Sequence, residues 1–422
     1  MFKFIITILC LTAVLPLTAS QTDDAIIVVN GTVRDSDNKK VMENVSISIP
    51  GTNIGTVSNA DGTFSLKVPK TNMNGGIRAE QLGYHSSLLP VDKLTEGNHE
   101  IVIYLKSSAK MLKEVIVRGG KPEEIVAEAL KKIPVNYPAN KSLYSAFYRE
   151  TVQKGKRYIG VSEAMVDVYK TPYIRRVSNG ERVQIKKGRR LISQNSRDTL
   201  SVKIVGGPTL PVILDFVKNS DFLFGYDDLK YYTFSMEKPV SIDERMQYVI
   251  RFSPKVKLDY ALCEGLLYID QESLSFSKAE FNLDMSDKDK ATNAILRKKP
   301  RGLRFKPQEL AFTVTYKLVD GTSYLNYIRT KTRFKCDWKR RLFSSGYTTY
   351  AEMVMVDRVD NPEIGISRKL AFDNNDIFYD RVENYWDCDF WNDYNIIEPT
   401  ESLEKAVGKL RRNNAAAMAL FP

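Results

Sequence analysis

Histidine is nearly missing from this chain: His85 and His99 are the only two in 422 residues. A catalytic zinc needs about three protein ligands, usually with two histidines among them. Neither residue stands in an HxxE or HExxH spacing, so the sequence argues against a metallocarboxypeptidase. The same scarcity argues against Ser–His and Cys–His nucleophile systems, and His85 reads as an ordinary strand residue. There is no GxSxG elbow, no phosphate-binding Walker loop and no dinucleotide fingerprint, and no cofactor is expected. Cysteine is also sparse, at four residues with no CxxC spacing, which argues against structural zinc. Past Leu17 no apolar run reaches the roughly eighteen residues of a transmembrane helix.

The opening residues read as a leader. Lys3 precedes an apolar run from Phe4 to Leu17, and Thr18-Ala19-Ser20 offers small residues for cleavage before Gln21. Residues 1–20 are therefore expected to be a signal peptide, cut between Ser20 and Gln21. Cys10 follows Leu9 rather than a small residue, so a lipid anchor is not expected. The mature chain keeps Cys263, Cys336 and Cys388. That odd number leaves a Cys336–Cys388 pair and three buried thiols both open. The net charge of +11 falls to about +10 without Lys3 and favours anionic lipid or glycan surfaces, while export makes nucleic acid a poor partner.

Residues 29 to 69 alternate like strands. Val45, Ile47 and Ile49 share one face, and so do Phe64, Leu66 and Val68, while Pro50-Gly51 and Asn59-Ala60-Asp61-Gly62 supply turns. Ile101, Ile103 and Leu105 form a last strand. Short strands at about ten-residue spacing imply a sandwich. Asn30-Gly31-Thr32-Val33-Arg34-Asp35, Gly51-Thr52-Asn53-Ile54-Gly55-Thr56 and Asp61-Gly62-Thr63-Phe64-Ser65-Leu66 resemble the carboxypeptidase-regulatory-like, transthyretin-type domain. Leu82-Gly83-Tyr84 and Leu112 to Val117 extend the likeness, which is also that of the module fronting starch-utilisation-type TonB-dependent receptors. The resemblance implies a fold and an envelope location, and no reaction.

The fold expected is mostly β: a transthyretin-like sandwich over residues 25–106, then an α+β domain with a large curved antiparallel sheet over 140–399. Residues 107–134 read as linker and helix. Pro122, Glu123 and Glu124 suit a helix start, Ile125, Val126, Ala129, Leu130 and Ile133 share a face, and Pro134 is expected to end it. A short helix is expected within 207–219. Leu274 and Phe276 are out of phase with Ala279, Phe281 and Leu283, which predicts a bulge. Phe312, Val314, Tyr316 and Leu318 form the next face, and Asp320-Gly321 predicts a hairpin. Thr400 caps a closing helix in 400–422, with a tail expected to fray after Arg412. Phe147-Tyr148-Arg149-Glu150, Glu163-Ala164 and the segment Trp391 to Pro399 resemble a family of envelope proteins with the regulatory-like domain in front. The long bent strands with an inserted helix are similar in pattern to the half-barrel of Lol-type lipoprotein carriers, which wraps an apolar cavity. The alternative is a sheet whose inner face packs solidly on helices.

Two constellations carry candidate chemistry. Arg329, Lys331, Arg333 and Lys335 share one strand face and form a candidate anion-binding stripe, or a solvated outer face. Trp386, Asp387, Trp391 and Asp393 combine aromatic rings with acids, as a sugar contact or a carboxylate-based hydrolase would, or simply pack the tail on the sheet. A third run, Lys186-Lys187-Gly188-Arg189-Arg190, reads as a hairpin tip. Together these features predict a non-catalytic protein of the periplasm or outer membrane that binds lipid, glycan or an outer-membrane partner.

Overall fold

The computed structural model describes residues 26–90, 98–108, 120–177, 180–193, 195, 200, 202–223, 225–242, 245–338, 344–387 and 394–419. The expected cleavage site, Val115–Val117, Cys388, Trp391 and Asp393 lie outside the described residues.

The first strands are β1 (Ile26–Asp35), β2 (Ser46–Ser48), β3 (Gly55–Val57), β4 (Thr63–Pro69), β5 (Ile77–Glu80), β6 (Ser87–Leu89) and β7 (Asn98–Leu105). They form two sheets, ordered β4-β1-β7 and β3-β2-β5-β6. The alternation read from the sequence closes the sandwich: Val45, Ile47 and Ile49 are buried together with Phe64, Leu66, Val68, Ile103 and Leu105. In the Asn59–Gly62 turn the Gly62 N–H donates to the Asn59 carbonyl, with Gly62 at φ +74°.

Helix α1 (Pro122–Lys131) starts as expected and buries Ile125, Val126, Ala129 and Leu130. The helix ends at Lys131, ahead of Pro134, but Pro134 does not end helical structure. It lies in the first turn of a second short helix, α2 (Ile133–Asn136), where a missing N–H costs little.

The remaining strands are β8 (Ser142–Lys154), β9 (Arg157–Lys170), β10 (Arg182–Ile192), β11 (Lys203–Ile204), β12 (Tyr232–Met236), β13 (Val240–Ile242), β14 (Arg245–Pro254), β15 (Cys263–Asp270), β16 (Phe276–Leu283), β17 (Leu296–Lys298), β18 (Leu303–Val319), β19 (Thr322–Trp338) and β20 (Ser345–Asp360). Eleven of them make one antiparallel sheet in the order β10-β9-β8-β20-β19-β18-β16-β15-β14-β12, with β13 added on β14. The predicted bulge lies in β16, where the register slips between Phe276 and Lys278. Leu274 belongs to the preceding turn, at φ +60°. Asp320 and Gly321, at φ +47° and +79°, make the expected β18–β19 hairpin. Leu318 is exposed rather than sharing the buried face of Phe312, Val314 and Tyr316, because β18 runs on past the packed core.

One face of this sheet, here the inner face, packs on α1, α2, α3 (Thr209–Leu214), α4 (Lys288–Ile295) and α5 (Phe378–Arg381). The other, outer face carries the sandwich. Tyr327, Val354, Phe147 and Met165 form a row across β19, β20, β8 and β9, and Val57, Ile396 and Ile397 cover it. Helix α6 (Glu401–Ala419) sets Leu403, Val407 and Leu410 against Val161 and Leu191. Thr400 caps it by accepting the Leu403 N–H at 3.2 Å. The helix continues to Ala419 instead of fraying after Arg412, in keeping with the helix propensity of three successive alanines.

Candidate ligand cavity on the inner face

Along the inner face, packing changes from solid to open within one strand repeat. Ile328, Met353, Tyr148 and Ala164 form a fully buried row within the main core. Two residues further on, Glu150 replaces an apolar side chain, and a cavity of about 350 Å³ opens beyond it. Val152 and Ile159 rise from the floor. Val202, Ile204 and Leu210 come from the segment above, where β11 pairs with β17. Past the cavity the strands close again on Phe334 and Tyr347, whose rings stack at 5.6 Å.

Glu150 is the polar end of this cavity. Its Oε1 accepts the Tyr148 hydroxyl at 2.6 Å and the Gly207 N–H at 2.7 Å. Its Oε2 has no partner among the described residues. Desolvation raises the Glu150 carboxyl above its ordinary range, and these two donors with Arg297 offset that only in part. The rim is charged but paired: Lys203 lies 3.6 Å from Asp380, Arg381 binds Asp376, and Arg297 donates to the Asn374 carbonyl.

A second cluster looks like chemistry and is sealed. Lys170, 1% exposed, donates to Asp215 at 2.7 Å, and the hydroxyls of Tyr173 and Tyr316 donate to the same carboxylate at 2.6 Å each. Desolvation would raise the Asp215 carboxyl, but the Lys170 ammonium and these donors outweigh it and hold it low. Lys218 donates to the carbonyls of Pro172 and Arg175. The cluster ties the segment after α3 to the sheet, with Lys170, Asp215 and Tyr173 almost wholly buried.

The basic stripe lies on the outer face, woven into ion pairs. Lys331 and Arg333 meet Glu309 at 2.9 and 3.3 Å, and Arg329 lies between Glu352 and the sandwich residue Glu43. Lys335 projects from the same face into solvent. Register extends the pattern into a row across five strands: Arg329, Glu352, Arg149, Glu163 and Arg189, alternating in sign. Of the aromatic and acidic group, Trp386 is 56% exposed and Asp387 pairs with Lys187 at 3.0 Å. The run Lys186 to Arg190 is no hairpin tip. It lies within β10, where Asp167, Asp387, Glu163 and Glu383 supply a carboxylate for each cation. Cys263 and Cys336 are buried thiols, and burial pushes them up to about 12 and about 11.

The family-like segments converge. Arg149 Nη2 donates to the Ile397 carbonyl at 2.7 Å, and Asn395 clips the Lys67 backbone through both amide atoms, at 2.6 and 3.0 Å. Sequence reasoning missed Glu150 as a cavity residue. The available signal was Arg149-Glu150 itself, consecutive charges on opposite faces of an otherwise apolar strand.

Residues 29–117 match the family model of the CarboxypepD_reg-like domain, so the chain carries this domain at its N-terminal side. A comparison with curated proteins finds no match. Among solved structures, the chain is similar to a DUF1329 family protein from Desulfovibrio piger at 11% identity, covering 58% of this chain and 96% of that one, with a TM-score of 0.25. It is similar to a LolA superfamily protein from Nitrosomonas europaea at 12% identity, covering 61% and 99%, with a TM-score of 0.18. MucB in complex with MucA(peri) matches at 12% identity over 57% and 99%, with a TM-score of 0.15.

Proposed function

We propose that the protein is a non-catalytic, exported binding protein that holds an amphiphile in the inner-face cavity. The observation that carries this reading is the cavity itself, with aliphatic walls and one carboxyl at the end that meets the solid core. Its volume of about 350 Å³ lies at the small end of ligand pockets, which run from about 300 to 1,000 Å³. That favours one alkyl chain with a compact head over a whole diacyl lipid. The regulatory-like sandwich lies on the opposite face, where it stiffens the sheet and leaves the cavity accessible.

The test is displacement of a fluorescent apolar amine, N-phenyl-1-naphthylamine, by single-chain amphiphiles. Ala351 lies in the floor, and Ala351→Phe fills the space above it. Saturable binding by the natural chain and its loss in A351F support the reading. Equal probe binding by both proteins contradicts it.

A further inference from the structure

The cavity floor is a hydroxyl surface. Strand pairing sets Ser162, Glu150, Ala351 and Thr330 side by side in one row. The next row along holds Gly160, Val152, Thr349 and Thr332. All eight line the cavity. Thr330 is 4% exposed, and its Oγ1 finds no hydrogen-bond partner. The hydroxyls of Ser162, Thr332 and Thr349 make no side-chain hydrogen bond among the described residues, and Glu150 Oε2 is likewise unused. Buried hydroxyls are normally paired, and one left unpaired is costly. A purely apolar occupant would leave all five of these oxygens without partners.

We propose that the group bound on this floor is a neutral polyol, with hydroxyls on adjacent carbons as in a sugar ring or a glycerol head. The inference rests on the cavity reading above and names the head that the cavity selects. Polyol hydroxyls donate and accept, which matches a floor of Ser and Thr hydroxyls that do both and a carboxyl oxygen that accepts. Neighbouring strands lie about 4.8 Å apart, so Glu150 and Thr330 stand roughly 10 Å apart on either side of the small Ala351 side chain. That gap admits a ring or a three-carbon head. An anionic head would meet Glu150 first. The nearby cations are engaged: Arg190, beside Ser162 in the same row, stacks 4.6 Å from the Tyr379 ring and pairs with Glu383, and Lys203 faces Asp380. Arg297 is exposed at the rim and donates to the Asn374 carbonyl. A quaternary ammonium head would suit Glu150 and leave the hydroxyls unpaired.

The test is calorimetric titration of the intact mature chain with octyl glucoside, 1-monooctanoylglycerol, octanoate, octyltrimethylammonium and free glucose, each below micelle formation. The polyol heads are expected to bind about tenfold more tightly than octanoate or the ammonium, the worth of one well-placed hydrogen bond. Thr330→Val, and separately Ser162→Ala, should remove most of that preference. If all four octyl compounds bind alike, or if both variants keep the preference, the polyol head is overturned and the cavity reading stands. If glucose binds as tightly as octyl glucoside, the polyol floor is supported and the amphiphile reading falls. If nothing binds, both fall.

Discussion

Arg149 and Glu163 face each other across β8 and β9, with 2.5 Å between Nε and Oε1 and both side chains buried. Glu163 also accepts from Arg189 at 2.7 Å, so one carboxylate serves two guanidinium groups. Desolvation would raise the Glu163 carboxyl, but the two arginines outweigh it and hold it below the ordinary range. Removing one member of such a group leaves buried charge uncompensated. Glu163→Gln is expected to cost about 3–5 kcal/mol in urea denaturation.

The same arginine connects the sheet to the strap at residues 394–400. Asn395 imitates a strand partner for Lys67, accepting its N–H and donating to its carbonyl. Asn395→Ala removes two hydrogen bonds, worth about 1–3 kcal/mol together. Limited proteolysis should show faster cleavage in the sandwich than in the large sheet.

Stability should depend on pH in two opposed ways. Glu163 and Asp215 are depressed in the folded state, so their contribution is complete above the ordinary carboxylate range, near pH 4, and is lost as pH falls through their folded values. Glu150 and Glu398 are raised, chiefly by desolvation, so their contribution is present in acid and is lost as pH rises through their folded values. Glu150→Gln keeps an acceptor for Gly207 and Tyr148 without the charge. Urea melts should find it more stable than the natural chain at pH 8 and equal to it near pH 4.

Gly188 brings the edge of the sheet close to the segment after α5. A Cβ there would lie 2.5 Å from Val382 Cγ2 and 2.8 Å from the Glu163 carbonyl oxygen. The carbonyl belongs to a paired strand and cannot yield. Gly188→Ala is expected to cost about 1–3 kcal/mol by overpacking. It should also weaken probe binding, because Phe378 and Tyr379 of α5 line the cavity.

Local signals carried the parts of the fold that depend on neighbours in sequence. The sandwich strands, the Asp320-Gly321 hairpin, the bulge near Ser277 and the Thr400 cap each follow from residues a few positions apart. The site depends on register. Nothing in the spacing of Ser162, Glu150, Ala351 and Thr330 places them in one row, because their pairing is set by three separate strand contacts. The Lys186–Arg190 run looked like a solvated turn for the same reason: its carboxylates come from β9 and from residues some 200 positions away. Arg329 to Lys335 was legible as one strand face, but the acids beside it belong to other strands and to the sandwich.

The most direct measurement is native mass spectrometry of the protein, purified gently from the cells that make it alongside A351F. A ligand held in the inner-face cavity should give a reproducible added mass on the natural chain, released by organic solvent and absent from the variant. A clean unliganded mass for the natural chain in repeated gentle preparations, with no uptake of octyl glucoside on addition, would contradict it.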